Sequence, residues 1–293
     1  MTPIGASALA QWPIVAAETI LFGTTAFEVA LAPRDPGARS PLVAELAPLW
    51  RLLAAILVLA APVALVVEVA AMADAPWRAA LAYLPEVLRE THAGRVWGCR
   101  LVVIATVAVV AFGFAGRDRA PLPLCALAAT LILLGSIASH AGDWSRATVA
   151  VDAVHQAAAG LWAGALLALC HGEIFSDRDP AARWIHRAAT RVSATAAGAV
   201  GVLVASGAIL ALRALGYDSS RLLYSAYGRA LIMKIGLFMG VVAIGGYNRY
   251  CLVPNVAEPS ARRLLVRLVA VECVFIIGVF GLAAMLANTP PAH

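Results

Sequence analysis

The chain has 293 residues, of which 62% are hydrophobic and only 13% are charged. This composition excludes a water-soluble domain, whose surface so few charges could not cover, and it predicts a polytopic membrane protein. The formal net charge of +5 comes mainly from arginines between apolar segments, so it indicates orientation and contacts with membrane lipid and gives no support for nucleic-acid binding.

Eight segments of the chain are long and apolar enough to cross a membrane, since a helix needs about 20 apolar residues to span the hydrocarbon core. We therefore predict an all-α transmembrane bundle that forms a single domain over residues 1–293. The predicted spans are 12–32, 49–72, 97–115, 121–141, 151–171, 190–212, 229–250 and 267–288.

Two further features concern packing and the membrane surface. The connection at about 76–95 mixes apolar and charged residues, which predicts a helix lying in the outer interface and interrupted at Pro85. Two motifs with glycines four residues apart, 160–164 and 236–240, predict that the fifth and seventh spans approach their neighbours closely.

Arginine distribution indicates the orientation. Thirteen arginines lie near the loops that follow odd-numbered spans and eight lie near the opposite face. The richer face should be cytoplasmic, which places both termini and the loop between spans four and five in the periplasm. No basic region precedes the first apolar segment, so we expect a retained span and no cleaved signal peptide. The five cysteines have no paired spacing and predict no disulfide framework.

Two histidines mark the hairpin between the fourth and fifth spans. His140 ends one span and His155 begins the next, so both imidazoles should lie at the outer end, within reach of each other and of a metal ion. Asp152 is three residues before His155 on the same helical face, where its carboxylate could accept the imidazole N–H and fix the tautomer. The simpler alternative is that each histidine only forms hydrogen bonds at the interface.

Sulfur-bearing side chains suggest further ligands. Met72, Met233 and Met285 map to the outer half, and thioether with imidazole favours Cu(I), whereas carboxylate with imidazole tolerates Cu(II). At the opposite end, Cys170 and His171 close the fifth span and are candidates for a cytoplasmic exit site. Methionines also fill packing gaps and free cysteines are often buried as small apolar residues, so packing is the competing interpretation.

An ionisable group inside a bilayer is costly and needs a partner or a function. Lys234 either extends its ammonium to the interface or pairs with Glu68 or Glu18 as a fixed charge that excludes other cations.

Glu272 lies in the inner third of the last span. The sequence leaves open whether it pairs with Arg249 or Arg191 or relays a proton.

Short motifs follow one another in a fixed order over the last two thirds of the chain. They are Thr91-x-x-Gly94-x-x-Trp97-x-x-Arg100, His140-Ala141, Asp152-x-x-His155, Gly160-Leu161-Trp162-x-Gly164, Arg191-x-Ser193, Ser206-Gly207, Tyr227-Gly228-Arg229 with Lys234, Asn248-Arg249 and Glu272. This order resembles the CopD/PcoD copper-resistance proteins.

The resemblance implies a bacterial inner-membrane protein that carries copper from the periplasm to the cytoplasm. It implies that His140 and His155 take copper, with Asp152 and Glu272 assisting or coupling. It also implies delivery by a small periplasmic CopC-like protein; some relatives are fused to such a domain, for which this chain has no room, so we expect a partner in trans.

Two other classes compete with a copper permease. In a b-type haem or quinone electron-transfer protein the paired histidines would be axial ligands. Both histidines lie at the same depth, however, which argues against electron transfer across the membrane. A copper-delivery assembly factor would bind copper without transporting it. The chain has no nucleotide-binding loop, Cys-x-x-Cys module or His-Glu-x-x-His motif, so we expect neither an enzyme nor a copper ATPase.

Overall fold

The computed structural model describes residues 3–31, 41–175, 181–256 and 258–292, and within these ranges every regular element is helical. The helices are α1 (Pro3–Ala26), α2 (Pro41–Met72), α3 (Trp77–Glu90), α4 (His92–Phe114), α5 (Pro121–Ala138), α6 (His140–Trp144), α7 (Arg146–Phe175), α8 (Ala181–Ala214), α9 (Arg221–Tyr224), α10 (Ala226–Tyr247) and α11 (Pro259–Asn288). Short π-helical segments, Phe27–Leu31 and Asn248–Leu252, extend α1 and α10.

Seven of these helices are long and apolar enough to cross a membrane, which confirms a multi-pass helical bundle. They are α1, α2, α4, α5, α8, α10 and α11, and each coincides with a predicted span. The eighth predicted span, 151–171, lies in the continuous helix α7, which is not among the seven. The side chains at the end of this span lie outside the described residues, so its crossing of the membrane stays a prediction.

The central helices are α1 and α7. Helix α7 packs against α1, α2, α5, α8 and α11, and α1 packs against α2, α5, α7 and α11. A helix surrounded in this way exposes little surface to lipid, so it can carry polar side chains that an outer helix could not.

Glycines set the α1–α7 crossing. A Cβ atom on Gly164 would collide with the backbone of Gly23 and Thr24, and one on Gly160 would lie 2.6 Å from the carbonyl oxygen of Thr19. The predicted close approach of the fifth span is therefore confirmed. Because residue numbers rise together along the two helices at these contacts, α1 and α7 run parallel.

The second glycine motif behaves differently. No heavy atom lies within 4 Å of a Cβ built on either glycine of the 236–240 motif, so the predicted close contact of the seventh span is wrong. Glycine spacing defines a face of a helix, but it does not determine which face meets a neighbour.

Helix α3 confirms the predicted helix in the 76–95 segment, but Pro85 does not interrupt it. Ala80 is buried, and Leu84, Val87 and Leu88 pack against the core, while Pro85 is exposed. Packing on α2 and α4 thus holds one face of the helix. The carbonyl that loses its hydrogen bond at the proline belongs to the outer side, where water can replace the bond.

Candidate functional site

His155 is held by α8. Its Nδ1 is 2.9 Å from Ser206 Oγ, and Ser206 donates its own proton to the Val202 carbonyl oxygen at 2.6 Å. The contact with the Val202 carbonyl is the shorter one, so we assign the Ser206 proton to it; Ser206 then accepts from the imidazole Nδ1, and the Nε2 lone pair would be available to a metal. A Cβ on Gly207 would lie 3.2 Å from the ring, so the lack of a side chain at Gly207 leaves room for the imidazole.

Asp152 has a different partner from the one predicted. Its Oδ2 accepts a hydrogen bond of 2.8 Å from Gln156 Nε2, and the same amide nitrogen donates to Ser136 Oγ on α5 at 3.0 Å. The expected bond between Asp152 and His155 is thus replaced by Gln156 for the carboxylate and Ser206 for the imidazole. The i,i+3 spacing places both groups on one side of α7, but the imidazole bonds to Ser206 on α8 and the carboxylate to Gln156 on α7 itself.

His140 is the first residue of α6. Its Nδ1 is 3.9 Å from Asp143 Oδ2, its side chain is 32% exposed, and its Nε2 is buried with no hydrogen-bond partner among the described residues. These contacts hold His140 on α6 and His155 against α8, and among the described residues no contact joins the two imidazoles. Nor do the described residues contain a group of three or more His, Cys, Asp or Glu side chains able to hold a metal.

The predicted sulfur ligands lie away from the bundle interior. Met72, Met233 and Met285 are 51%, 61% and 42% exposed, which places their side chains on the outer surface of the helices. The side chains of Cys170 and His171 lie outside the described residues, so a cytoplasmic exit site stays a prediction.

An arginine completes the outer polar region. Arg100 donates from Nη2 to Glu18 Oε2 at 2.9 Å, and both side chains are buried. Glu68 Oε2 accepts from Trp97 Nε1 at 2.8 Å, and the Arg100 guanidinium lies 4.9 Å from the Trp97 ring centroid. Sequence reasoning counted Arg100 among the loop arginines, which was wrong. Trp97, three residues before Arg100, is typical of the membrane interface. Hydropathy does not show which side of a helix a residue faces.

Lys234 lies on α10, within electrostatic range of the Asp152 carboxylate on α7. Its ammonium interacts electrostatically with Asp152 and with His155, whereas the predicted partners belong to Arg100 and Trp97. Asp152 also lies within electrostatic range of Glu18. The predicted pairing of Lys234 with Glu68 or Glu18 is therefore wrong, and the carboxylate with which Lys234 interacts electrostatically is Asp152.

Glu272, in the middle of α11, is fully buried. Its Oε1 accepts a 2.7 Å hydrogen bond from Asn248 Nδ2, so Asn248 takes the place of the predicted Arg249 or Arg191. The second carboxyl oxygen, Oε2, has no partner among the described residues.

Replacing Asn248 with leucine should lower the stability of the protein by about 1–3 kcal/mol, because the buried Glu272 carboxyl then loses its hydrogen bond. Thermal unfolding in detergent measures this. The double variant Asn248→Leu/Glu272→Leu serves as the control and should recover part of the loss; a single variant as stable as the wild type would contradict the contact.

Ser206→Ala should weaken Cu(I) binding about 10- to 100-fold, since the imidazole would lose the group that fixes its tautomer and orientation. Competition with a Cu(I) chelator measures the affinity. Ser219→Ala, in an exposed turn, is the matched control; equal affinity of Ser206→Ala and the control would show that Ser206 does not orient the ring.

Together these features define a multi-pass membrane protein with a polar, imidazole-containing region near the first turns of α4, α7 and α10. The family model "Copper resistance protein D" matches residues 186–286, and the model "Copper resistance protein D-like, N-terminal domain" matches residues 2–147. The chain belongs to the copper resistance protein D family, and it is a copper-related membrane protein.

A curated relative and the solved structures were also compared. The chain is 28% identical over 194 residues to "Copper transport protein CutJ" of Bacillus subtilis (strain 168), a match that covers 62% of this chain and 35% of CutJ. The chain therefore spans about a third of that relative's length. No solved structure matches.

Proposed function

We propose that this protein carries copper across the bacterial inner membrane, from the periplasm to the cytoplasm, through a site on α7. Family membership and the similarity to the copper transport protein CutJ support copper as the substrate. The observation that carries the proposal is the state of His155: Ser206 fixes the ring through Nδ1, which leaves the Nε2 lone pair free in the polar region where Asp152 and Lys234 lie.

Charge supports a monovalent cation as the substrate. The outer polar region contains three carboxylates, Glu18, Glu68 and Asp152, and two cations, Arg100 and Lys234, which gives one formal negative charge in excess. Since an uncompensated charge is costly in the membrane, one Cu(I) ion bound here balances the region, whereas Cu(II) would leave it positive. Imidazole is also a suitable ligand for copper.

His140 provides the entrance in this proposal. Its buried Nε2 has no partner in the described part of the chain, and Asp143, next to it, has a largely exposed carboxylate. Copper would meet this pair first and then move to His155. With both termini in the periplasm, the pair faces a CopC-like copper-binding protein that acts in trans.

Purified protein loaded anaerobically with Cu(I) tests the binding part of this proposal. We expect about one copper per chain and no Soret band in the absorption spectrum. A Soret band would instead support the b-type haem protein, with His140 or His155 as an axial ligand. Copper binding without transport in vesicles would support the assembly factor.

A further inference from the structure

Two segments of the chain start in the same way although 134 positions separate them. Thr91-His92-Ala93-Gly94-Arg95 begins α4, and Ser225-Ala226-Tyr227-Gly228-Arg229 begins α10. Each matches the pattern Ser/Thr-x-x-Gly-Arg. A basic residue follows six positions after each glycine: Arg100 in α4 and Lys234 in α10.

The two segments also share their hydrogen bonds. Thr91 Oγ1 accepts from the Gly94 amide at 2.9 Å and donates to the Val87 carbonyl oxygen at 2.8 Å. Ser225 Oγ accepts from the Gly228 amide at 2.9 Å and donates to the Arg221 carbonyl oxygen at 2.6 Å. In both cases the hydroxyl caps the long helix and ties it to the short helix before it.

Glycine is required at both starts for the same reason. A Cβ on Gly94 would collide with the Val87 carbonyl of α3, and a Cβ on Gly228 would collide with the Leu222 carbonyl of α9. Each long helix thus begins directly beneath the carbonyl ends of a short one.

Helix packing extends the correspondence to most of the bundle; among the described residues, α2 packs on α3 and α4, whereas α8 has no comparable contact with α9 or α10. Helix α1 packs on α2 and α5 as α7 packs on α8 and α11, and α4 packs on α5 as α10 packs on α11. Between the halves, α1 packs on α11 as α7 packs on α5, and the parallel helices α1 and α7 meet each other. This is the pattern of two parallel repeats related by an approximate two-fold axis between α1 and α7.

The basic residues interact with carboxylates on corresponding helices, Arg100 through a salt bridge and Lys234 electrostatically. Arg100 of the first half binds Glu18 on α1, and Lys234 of the second half interacts with Asp152 on α7. Glu18 and Asp152 are within electrostatic range of each other across the approximate axis. The charge of one half therefore acts on the site in the other.

We propose that the chain consists of two parallel repeats, α1–α5 and α7–α11, and that the Glu18–Arg100 pair of the first repeat tunes the Cu(I) affinity of the Asp152–His155 site in the second. Glu18 and Arg100 are positioning residues that act through Asp152 and do not bind copper. This inference rests on the proposed copper site.

Opposite charge changes test the tuning. Glu18→Gln removes the anion that balances the buried Arg100 cation and should weaken Cu(I) binding about tenfold, whereas Arg100→Gln leaves the Glu18 anion, which interacts with Asp152, unbalanced and should tighten binding by a similar factor. The double variant removes both charges and should bind within about threefold of the wild type. Arg100→Lys keeps the positive charge and should bind Cu(I) with the wild-type affinity.

Affinity is measured on the full-length protein in detergent by competition with a Cu(I) chelator, with His155→Ala in parallel. If both single variants weaken binding, or if the double variant is the weakest, the pair is structural and the tuning is wrong while the copper site stands. If His155→Ala binds as the wild type does, the proposed copper site fails and the tuning fails with it.

The repeat has a test that needs no copper. Gly94→Ala and Gly228→Ala should lower the thermal unfolding temperature by similar amounts, while Gly98→Ala and Gly236→Ala, where a Cβ meets nothing within 4 Å, should leave it nearly unchanged. A large loss for only one of the first two variants would overturn their equivalence.

Discussion

Replacing His155 with alanine should lower the copper retained after anaerobic Cu(I) loading by at least about tenfold. In the proposed site this imidazole is the ligand, because Ser206 contacts Nδ1 and donates its own proton to the Val202 carbonyl, which would leave Nε2 for copper. Copper content per chain, measured by elemental analysis after removal of unbound metal, gives the result directly.

His92→Ala is the matched control, because His92 is exposed at the start of α4. It should retain as much copper as the wild type. Helical content and elution from size exclusion identify a variant that has failed to fold. A folded His155→Ala protein that retains one copper would show that the ligand is elsewhere, and His140→Ala would then be the next variant to load.

The second large effect concerns the α1–α7 crossing. Gly23→Ala should prevent the protein from accumulating as a single folded species, because the new Cβ would collide with the backbone of Gly160. Two backbones in contact cannot yield as a side chain can, so the central helices must separate and lose their shared packing.

Gly236→Ala and Gly240→Ala are the controls for this prediction, because a Cβ meets nothing within 4 Å at either position. Membrane yield and the monodisperse fraction in size exclusion are the measurements. If Gly23→Ala has the yield and monodisperse fraction of the wild type, the α1–α7 crossing is wider than the structure shows. If the control variants have a low yield, α10 has a partner in the membrane.

The sequence predicts well where the apolar helices lie along the chain, since hydropathy is a property of each segment alone. Seven predicted spans coincide with apolar helices, and His155 lies near the start of α7 as expected. The side of a helix on which a residue lies is harder to predict, because it depends on which neighbouring helices surround that helix. For this reason the partner of His155, Ser206, could not be predicted, and Asp152 was assigned to the wrong group.

Arg100 and Pro85 show the same limit. Arg100 follows a tryptophan near the start of a span, where an arginine normally faces the interface, yet it turns inward because Glu18 on α1 needs a cation. Pro85 was expected to interrupt α3, but the helix continues through it because its other face packs on α2 and α4. The correspondence between Thr91–Arg100 and Ser225–Lys234 was present in the sequence and could have been found by comparing the two halves of the chain.

Uptake of Cu(I) into sealed proteoliposomes tests the central claim most directly. Vesicles with the wild-type protein and vesicles with His155→Ala are given external Cu(I) under anaerobic conditions, and a trapped chelator reports the copper that enters. The account predicts uptake with the wild type and uptake at the level of protein-free vesicles with His155→Ala. Equal uptake by the two proteins would contradict transport through His155, and no uptake by a copper-loaded wild type would contradict transport itself.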